Sequence, residues 1–431
     1  MSQTIRLAYG RTGLDVTLPD EAILLSPQDV TPLADPPAAV RAALAAPIGS
    51  RPLAELVAAG QRVAIVTSDL TRPTPNRLLL EALLEVVEAR GVPDADVVIL
   101  NGTGLHRGNT AEEFVRMYGP EIPARYRIVN HDGRDPATLR RVGTDPRDAA
   151  IEFNAAYLDA DVRIVTGFIE PHLFAGYSGG GKGVMPGIAG RATIMSNHST
   201  SMIGHPNATF GVTAGNPIFE EMRAHALLTA PTFLLNVTLD SEKRVTGVFA
   251  GGLAAAHDAG IAACRAQALV EVDAPFDIVV TTNGGYPADL NLYQSIKGLV
   301  VAARALRPGG QVILAAECEE GIGQDYGRIL AEHGSPLELL DALTAPGATP
   351  IEDGWQAQLQ AMAQAKGTVW LYSTLDAATT AATHLRHCTD IGATVLALRA
   401  EIEAREGRPA RMGVLPFGQQ AVPVVREAVS A

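Results

Sequence analysis

Short runs of β-branched residues alternate with longer helical stretches along this chain, and this alternation restricts the fold more than any other feature. The runs 62–67, 96–100 and 162–165 have strand-like patterns, and the stretches 77–90 and 111–117 have helical ones. Strands that alternate with helices form mostly parallel sheets covered by those helices. The sequence therefore predicts an α/β fold.

A second series of the same kind begins after a plausible boundary near Asp273. It comprises strand-like runs at 276–281, 311–316 and 368–372, and helical stretches at 290–306 and 356–365. A chain of 431 residues exceeds what one hydrophobic core usually serves. We therefore expect two α/β domains with mostly parallel sheets, residues 1–272 and 273–431, with the active site in the cleft between them.

The charge and cysteine content exclude several classes of protein. A net charge of −13 argues against a nucleic-acid partner, and it means that local cations must attract any anionic substrate. Cys264, Cys318 and Cys388 show no paired spacing, which indicates a reducing compartment. The first residues lack the apolar core of a signal peptide, and no run of 18 apolar residues exists. We expect a cytoplasmic protein without a membrane partner.

A glycine-rich segment contains the clearest chemical signal. Within 27 residues it contains His172, Lys182 and His198, with Gly179, Gly180 and Gly181 directly before the lysine. Glycine lets the backbone approach a ligand closely, whereas a core segment has no use for this density of glycine and charge. The segment therefore predicts a cofactor site.

A nucleotide-binding P-loop is the first alternative for this segment, because Gly176 to Lys182 reads G-x-x-x-x-G-K. A P-loop requires Ser or Thr next, to hold magnesium, and the chain has Gly183. A P-loop also starts where a strand ends, whereas residues 172–175 separate this motif from the run 162–165. Both features disfavour an NTPase.

Four blocks of sequence resemble the nickel-dependent lactate racemase family, and together they span nearly the whole chain. In the family's order and spacing, they are 68–75, 102–107, 168–198 and 283–298. Two positions depart from the family pattern: Gly181 replaces an arginine, and Leu105 stands where an aromatic residue is common. Replacement of that arginine is expected to enlarge the site or to remove a charge from it.

The resemblance implies racemisation or epimerisation of a 2-hydroxy acid through a keto acid. The carbinol hydrogen is a poor acid, so its removal as hydride requires a cofactor. The implied cofactor is a nickel pincer nucleotide, tethered through Lys182 and made by dedicated maturation proteins. Its three planar donors and the His198 imidazole would form a square-planar nickel site. Asp69 and Thr71 are expected to hold its ribose or phosphate.

His106 and His172 are the implied acid–base pair. Hydride leaves as the hydroxyl loses its proton, so a base must lie within hydrogen-bond reach of that oxygen. The enantiomers present the hydroxyl differently, and we expect one histidine to serve each. Imidazole suits this task because its pKa lies near neutral pH.

The substrate is expected to be a small anionic 2-hydroxy acid. Arg72 offers its carboxylate a bidentate partner, and Lys297 offers a second cation. Gln294 and Lys297 share one helix face, with Tyr293 adjacent. Trp355 occupies the position of a substrate-side tryptophan in the family. Lactate, malate and longer or sugar acids are all candidate substrates.

Two other functions and two other sites are compatible with parts of the sequence. The same cofactor site could serve an oxidoreductase or lyase that does not racemise, or a binder of the nucleotide that does no chemistry. A pure binder would need Lys182 and His198 but neither catalytic histidine. His205 is expected to shape a turn. His384, His387 and Cys388 have metal-ligand spacing that often arises by chance.

Overall fold

The computed structural model describes residues 1–345 and 347–426, and it is built on two six-stranded sheets. The first sheet has, in spatial order, the strands Val245–Gly251, Phe233–Leu239, Val162–Ile169, Val63–Ser68, Val97–Gly102 and Arg127–Asn130. All neighbouring strands are parallel except the first pair, which is antiparallel. The predicted α/β class is therefore confirmed for this half of the chain.

Helices cover this sheet because their apolar residues repeat at helical spacing. In the helix Asn76–Ala89, Leu79, Leu80, Leu83 and Val87 are buried together. The other helices of this half are Pro36–Ala45, Leu53–Leu56, Ala111–Tyr118, Glu121–Arg125, Ala155–Leu158, Arg191–Asn197, Thr200–Ile203, Pro217–Leu228 and Leu253–Ala268. Short antiparallel pairs join Leu139–Thr144 to Ala150–Asn154 and Pro171–His172 to Gly176–Tyr177.

The second sheet is parallel throughout. Its strands are, in spatial order, Arg386–His387, Gly367–Tyr372, Leu306–Ala315, Phe276–Thr282, Met412–Leu415 and Ile23–Leu24. Its helices are Leu292–Ala305, Gln324–Ala331, Pro336–Thr344, Gly354–Lys366, Ala377–Ala381 and Ile391–Glu406. Every strand and helix predicted for the second series is present, with bounds shifted by a few residues.

The N-terminal segment belongs spatially to the second sheet. The strands Ser2–Leu7 and Leu14–Pro19 form an antiparallel hairpin, and Ile23–Leu24 pairs with Met412–Leu415. Side chains of the hairpin pack in one cluster with the helix Ile391–Glu406. The domain boundary at residue 272 stays a prediction. The first 24 residues, which that boundary assigns to the first domain, lie beside the second sheet.

One hydrophobic cluster continues beneath both halves of the molecule. It joins Phe174 and Ile194 of the first half to Ile296 and Ala357 of the second. The helix Leu292–Ala305 is buried along most of its length for this reason. None of the helices in residues 1–345 and 347–426 has the length and apolar character that a membrane span requires.

Candidate active site

A cleft between the two halves contains nearly all of the predicted site residues. Asp69, His106 and His172 each follow the carboxyl end of a strand of the first sheet, as expected for ligand sites in α/β folds. The residues that line the cleft include Asp69, Arg72, His106, His172, Lys182, His198, Tyr293, Gln294, Lys297 and Trp355. Thr71 lies behind this lining and contacts Asp69 and Arg72.

His106 is held by a buried carboxylate. Its Nδ1 lies 2.7 Å from Oδ2 of Asp69, and its side chain is 31% exposed toward the cleft. Thr71 donates its hydroxyl to Oδ1 of Asp69 at 2.6 Å, and Arg72 donates to that hydroxyl at 2.8 Å. Burial opposes ionisation of Asp69, but the contacts with His106, Arg72 and Thr71 hold the pKa of the carboxyl below its usual value. The carboxylate therefore orients the imidazole.

The sequence did not reveal this pair, because Asp69 and His106 lie on separate loops, 37 residues apart. The neighbouring strands Val63–Ser68 and Val97–Gly102 bring the loops together. Arg107 follows His106 in the sequence, but its side chain points elsewhere and pairs with Glu113 at 2.8 Å.

A line of rings crosses the cleft floor. The centroids of His172 and Phe174 are 4.7 Å apart, those of Phe174 and His198 are 4.9 Å apart, and those of His198 and Trp355 are 5.2 Å apart. All three pairs have edge-to-face geometry, which aromatic rings favour. Burial and nearby Lys182 lower the pKa of His198 to about 3, so this imidazole is neutral and keeps a lone pair. Nδ1 of His172 accepts the backbone N–H of Ala175 at 3.3 Å.

The loop that carries Lys182 is fixed from behind. Residues Gly180–Gly183 form a 3₁₀ turn, and Asn236 accepts the N–H of Gly180 at 2.7 Å. Nε2 of His257 donates to the carbonyl of Ser178 at 3.0 Å. Neither Asn236 nor His257 stands in a recognisable motif, so both were missed in the sequence. Their hydrogen bonds to the loop backbone fix the position of Lys182 relative to the first sheet.

Gly180→Ala should disrupt this loop, and Gly309→Ala provides a matched control. A Cβ at Gly180 would lie 2.1 Å from Nδ1 of His257, whereas a Cβ at Gly309 meets nothing within 4 Å; φ is positive at both, +55° and +75°. Both variants bear a left-handed backbone cost of about 1 kcal/mol. Urea unfolding should show a further loss of about 1–3 kcal/mol for Gly180→Ala alone. Equal losses in the two variants would contradict the packing described here.

Lys182 has the properties of a reactive amine. Burial and the charge of Arg72 lower its pKa to about 7, so a large share is neutral at physiological pH. Its ammonium nitrogen lies 6.0 Å from the ring centroid of Phe174. No hydrogen bond or ion pair joins that nitrogen to any residue in the described ranges. Glu170, another residue missed in the sequence, lies nearby, and burial raises the pKa of its carboxyl.

Gly181 replaces the family's arginine, and this replacement was expected to enlarge the cleft or to remove a charge from it. The structure does not support the enlargement. A Cβ there would lie 3.2 Å from the Cβ of Ala226, the Cα of Arg223 and the carbonyl oxygen of Met222. The helix Pro217–Leu228 therefore occupies the space directly behind the loop. An arginine at this position would require that helix to shift.

The second half contributes a cation and its supports. Lys297 is buried and donates to Oε1 of Gln294 at 2.9 Å, and burial together with Arg72 lowers its pKa to about 7. Nε1 of Trp355 donates to the hydroxyl of Tyr293 at 3.1 Å. Asn283 accepts the N–H of Gly298 at 3.1 Å, which fixes the helix that carries Lys297. The predicted residues of this half therefore converge on the cleft.

Glu352 joins the two halves beside the cleft. Its carboxylate pairs with Arg134, and it pairs with Arg191 at 3.0 Å. Arg134 also donates to the carbonyl of Leu105 at 3.0 Å, next to His106. Three residues later, Trp355 covers His198. The bridge thus connects the loop that carries His106 to the segment that carries Trp355.

The sites set aside in the sequence stay outside the cleft. Nδ1 of His205 accepts the N–H of Asn207 at 3.1 Å, in the turn-forming role expected for it. His384 has a positive φ, and its Nε2 donates to the carbonyl of Leu330 at 2.8 Å, away from Cys388. Among residues 1–345 and 347–426, no group of three or more His, Cys, Asp or Glu side chains could hold a metal ion.

Comparisons with known proteins agree on one family. The lactate racemase N-terminal domain matches residues 9–211, and the lactate racemase C-terminal domain matches residues 272–422. A lactate racemase of Thermoanaerobacterium thermosaccharolyticum is 36% identical over 83% of this chain and 85% of its own length. A lactate racemase of Lactiplantibacillus plantarum is 37% identical over 86% of this chain and 87% of its own length.

Solved structures give the same answer for the fold. The lactate racemase apoprotein from Thermoanaerobacterium thermosaccharolyticum superimposes with a TM-score of 0.88 at 34% identity, covering 99% of this chain and 100% of that one. A Thermotoga maritima protein shares only the fold, with a TM-score of 0.71 at 19% identity over 93% and 100% of the two chains. The sequence matches, the two α/β domains and the cleft together show that this chain is an isomerase that belongs to the lactate racemase family.

Proposed function

We propose that this enzyme racemises or epimerises a small 2-hydroxy acid by reversible hydride transfer through a keto acid. The observation that carries the proposal is the convergence in one cleft of three imidazoles and three cationic side chains, one of which lies on the glycine-rich loop. Such a set can bind a carboxylate, move a hydroxyl proton and hold a cofactor. The relatives named lactate racemase make lactate the first substrate to test.

The proposed cofactor is a nickel pincer nucleotide, and two residues fit it. Lys182 supplies a partly neutral amine for a covalent tether. His198 supplies a neutral imidazole whose Nδ1 is buried without a hydrogen-bond partner among the described residues. Among the described residues, no group of three or more His, Cys, Asp or Glu side chains could hold a metal ion. A nickel ion at His198 would therefore take its other donors from the cofactor. When bound, this group would accept hydride from the carbinol carbon and return it.

His198→Ala should lower the nickel content of the matured protein while the fold persists. The buried imidazole is the one protein donor proposed for nickel, and its loss would leave the metal held by the cofactor alone. Metal analysis of purified protein gives the nickel stoichiometry, and circular dichroism checks the fold. His205→Ala is the matched control, because that ring lies in a surface turn. An unchanged nickel content in His198→Ala would remove this residue from the ligand role.

Substrate binding follows from the local charges. Arg72 and Lys297 line opposite halves of the cleft and offer cations to a carboxylate, although the whole chain has a net charge of −13. Tyr293, Gln294 and Trp355 complete the substrate side of the cleft. The expectation that Asp69 and Thr71 hold the nucleotide stays a prediction.

His106 and His172 are the proposed catalytic histidines. Both line the cleft, and both have a ring nitrogen directed away from their protein contact. A hydroxyl oxygen bound next to the free nitrogen of either ring would lie within hydrogen-bond reach of a proton acceptor. Cofactor maturation proteins are the proposed protein partners.

The test is a chirality assay on protein produced together with the cofactor maturation machinery. Each enantiomer of lactate, malate and longer 2-hydroxy acids is supplied separately, and both the enantiomer ratio and free keto acid are measured. Appearance of the opposite enantiomer supports the proposal. Stoichiometric keto acid without inversion would instead indicate a non-racemising oxidoreductase, and no change with any acid would indicate a binder of the nucleotide.

A further inference from the structure

Asp353 stands directly before the helix Gly354–Lys366, but it does not cap that helix. Its side chain makes no hydrogen bond with the first turn, and its backbone is left-handed, with φ +64° and ψ −4°. An aspartate in this place ordinarily accepts an N–H of the first turn, as three others in the chain do: Asp35, Asp376 and Asp390. A left-handed backbone is costly for a residue with a Cβ, and such residues are concentrated at functional sites. The carboxyl of Asp353 is therefore free for another task.

Asp353 lies in the wall of the cleft, beside the substrate-side residues. It is half-buried and lines the cleft together with Tyr293, Gln294 and Trp355. Nε1 of Trp355 donates to the hydroxyl of Tyr293 at 3.1 Å, so the hydrogen of that hydroxyl is available to another acceptor. Burial raises the pKa of Tyr293 well above its usual value, and the charge of Asp353 and a hydrogen bond to it raise that pKa further. Asp353 thus accepts from Tyr293 and keeps lone pairs for the cleft.

Asp69 and Asp353 are the two acidic residues that line the cleft within the described ranges, and they differ in their partners. Asp69 pairs with His106, whereas no ion pair among the described residues includes Asp353. Burial raises the pKa of Asp353, but the hydrogen bond from Tyr293 and the charge of Arg134 oppose this shift and favour the ionised form. The wall of the cleft therefore contains a carboxylate without a cationic partner.

The three cations of the cleft, Arg72, Lys182 and Lys297, lie close together and are called the cationic group here. Burial lowers the pKa of Lys297, and the charges of Arg72 and Lys182 lower it further. Lys182 likewise has a pKa lowered by burial and by Arg72. This concentration of positive charge is where the carboxylate shared by all 2-hydroxy acids binds best.

We infer that Asp353 selects the substrate by charge: it admits a 2-hydroxy acid whose side chain is uncharged and rejects one with a second carboxylate. This inference rests on the proposed function and narrows its substrate class. With the shared carboxylate on the cationic group, the substrate's side chain occupies the wall formed by Tyr293, Trp355 and Asp353. A methyl or hydroxymethyl group is accepted there, whereas a second carboxylate would meet a like charge in a half-buried site.

The test compares lactate with malate in cofactor-loaded parent and Asp353→Asn protein. Asparagine tolerates a left-handed backbone and can still accept from Tyr293, so this variant removes the charge alone. The parent should prefer lactate, and a parent that prefers malate would overturn the inference. The kcat/KM for malate, divided by that for lactate, should rise about 10- to 100-fold in the variant.

Asp325→Asn is the matched control, because it removes an exposed carboxylate of the same half of the chain. The side chain of Asp325 is 66% exposed, so solvent and salt screen its charge. The ratio of malate to lactate kcat/KM in this variant should stay within about twofold of the parent's. A rise as large as that in Asp353→Asn would assign the effect to net charge and overturn the inference.

Asp353→Gly separates the charge from the shape of the side chain. Glycine suits the φ of +64° at this position, so this variant should fold even if Asp353→Asn does not. It should show the same rise in the ratio. A rise in Asp353→Gly without one in a folded Asp353→Asn would assign the selection to volume, and an unchanged ratio in both variants would leave Asp353 only the task of holding Tyr293. Either result would overturn the inference.

An equilibrium titration decides the inference without turnover. Lactate and malate are titrated separately into the full chain, with and without cofactor, and the fluorescence of Trp355 in the cleft wall reports binding. The Kd for malate, divided by that for lactate, should fall about 10- to 100-fold in Asp353→Asn. An unchanged ratio, or no binding of either acid to parent and variant, would overturn the inference.

The proposed function and the inference fail separately. A parent protein that racemises no acid in the panel contradicts the proposed function, while the titration still decides the inference. A functional racemase whose preference for lactate over malate is the same in the parent and in both Asp353 variants contradicts only the inference.

Discussion

Lys182→Ala should abolish both the covalent adduct and racemisation. In the parent protein, intact mass spectrometry should show a nucleotide-sized addition after maturation, and the variant should have the mass of its sequence alone. The physical reason is that Lys182 is the half-buried, partly neutral amine of the glycine loop, with a pKa of about 7. Without it, the cofactor has no covalent anchor in the cleft.

Lys297→Ala is the control for this result, because its pKa is also about 7 and it lines the same cleft. We expect this variant to keep the adduct and to bind substrate poorly, since only a carboxylate partner is removed. An adduct that survives Lys182→Ala, or one that disappears in Lys297→Ala instead, would assign the tether to another lysine.

Asp69→Asn should reduce turnover about 10²–10⁴-fold, counted per molecule of protein that carries the adduct. The carboxylate accepts the Nδ1–H of His106 at 2.7 Å, whereas an asparagine can present its N–H₂ and so favour the opposite tautomer. That tautomer places a proton on Nε2, where the base needs a lone pair. Steady-state rates with each enantiomer and the intact mass of the variant provide the measurement.

Thr71→Val is the graded control for this prediction. It removes the hydroxyl that donates to Asp69 at 2.6 Å but leaves the contact between Asp69 and His106 in place. A loss of less than about tenfold is expected, the size of one hydrogen bond. If Thr71→Val is as impaired as Asp69→Asn, the carboxylate acts mainly by holding its own loop.

The location of the site could be predicted because parallel sheets place consecutive strand ends at one edge. Asp69, His106 and His172 each follow a recognisable β-branched run, so their convergence follows from strand order alone. Lys297 could be placed because Gln294 and the motif at Asn283 set the face of its helix. The identity of the chemistry came from the family resemblance and not from this geometry.

The supports of the site could not be predicted. Asn236 and His257 reach the lysine loop from a strand and a helix with ordinary local patterns. Glu352 reaches across from the second half, and its two arginine partners lie 161 and 218 residues away in sequence. Hydrogen-bond partners of this kind depend on tertiary packing, which leaves no periodic signal in a single sequence.

The strand Ile23–Leu24 has a consequence for how the chain is made. It pairs with Gly413 and Val414, about 390 residues later, so the ribosome releases one edge of the second sheet long before its partner exists. At a synthesis rate of about 5–20 residues per second, the strand Ile23–Leu24 waits roughly 20–80 s for that partner. The first half can fold during this interval, whereas the second sheet is completed only after nearly the whole chain has emerged. Nascent chains truncated before Met412 should therefore contain a folded first sheet and a protease-sensitive N-terminal hairpin.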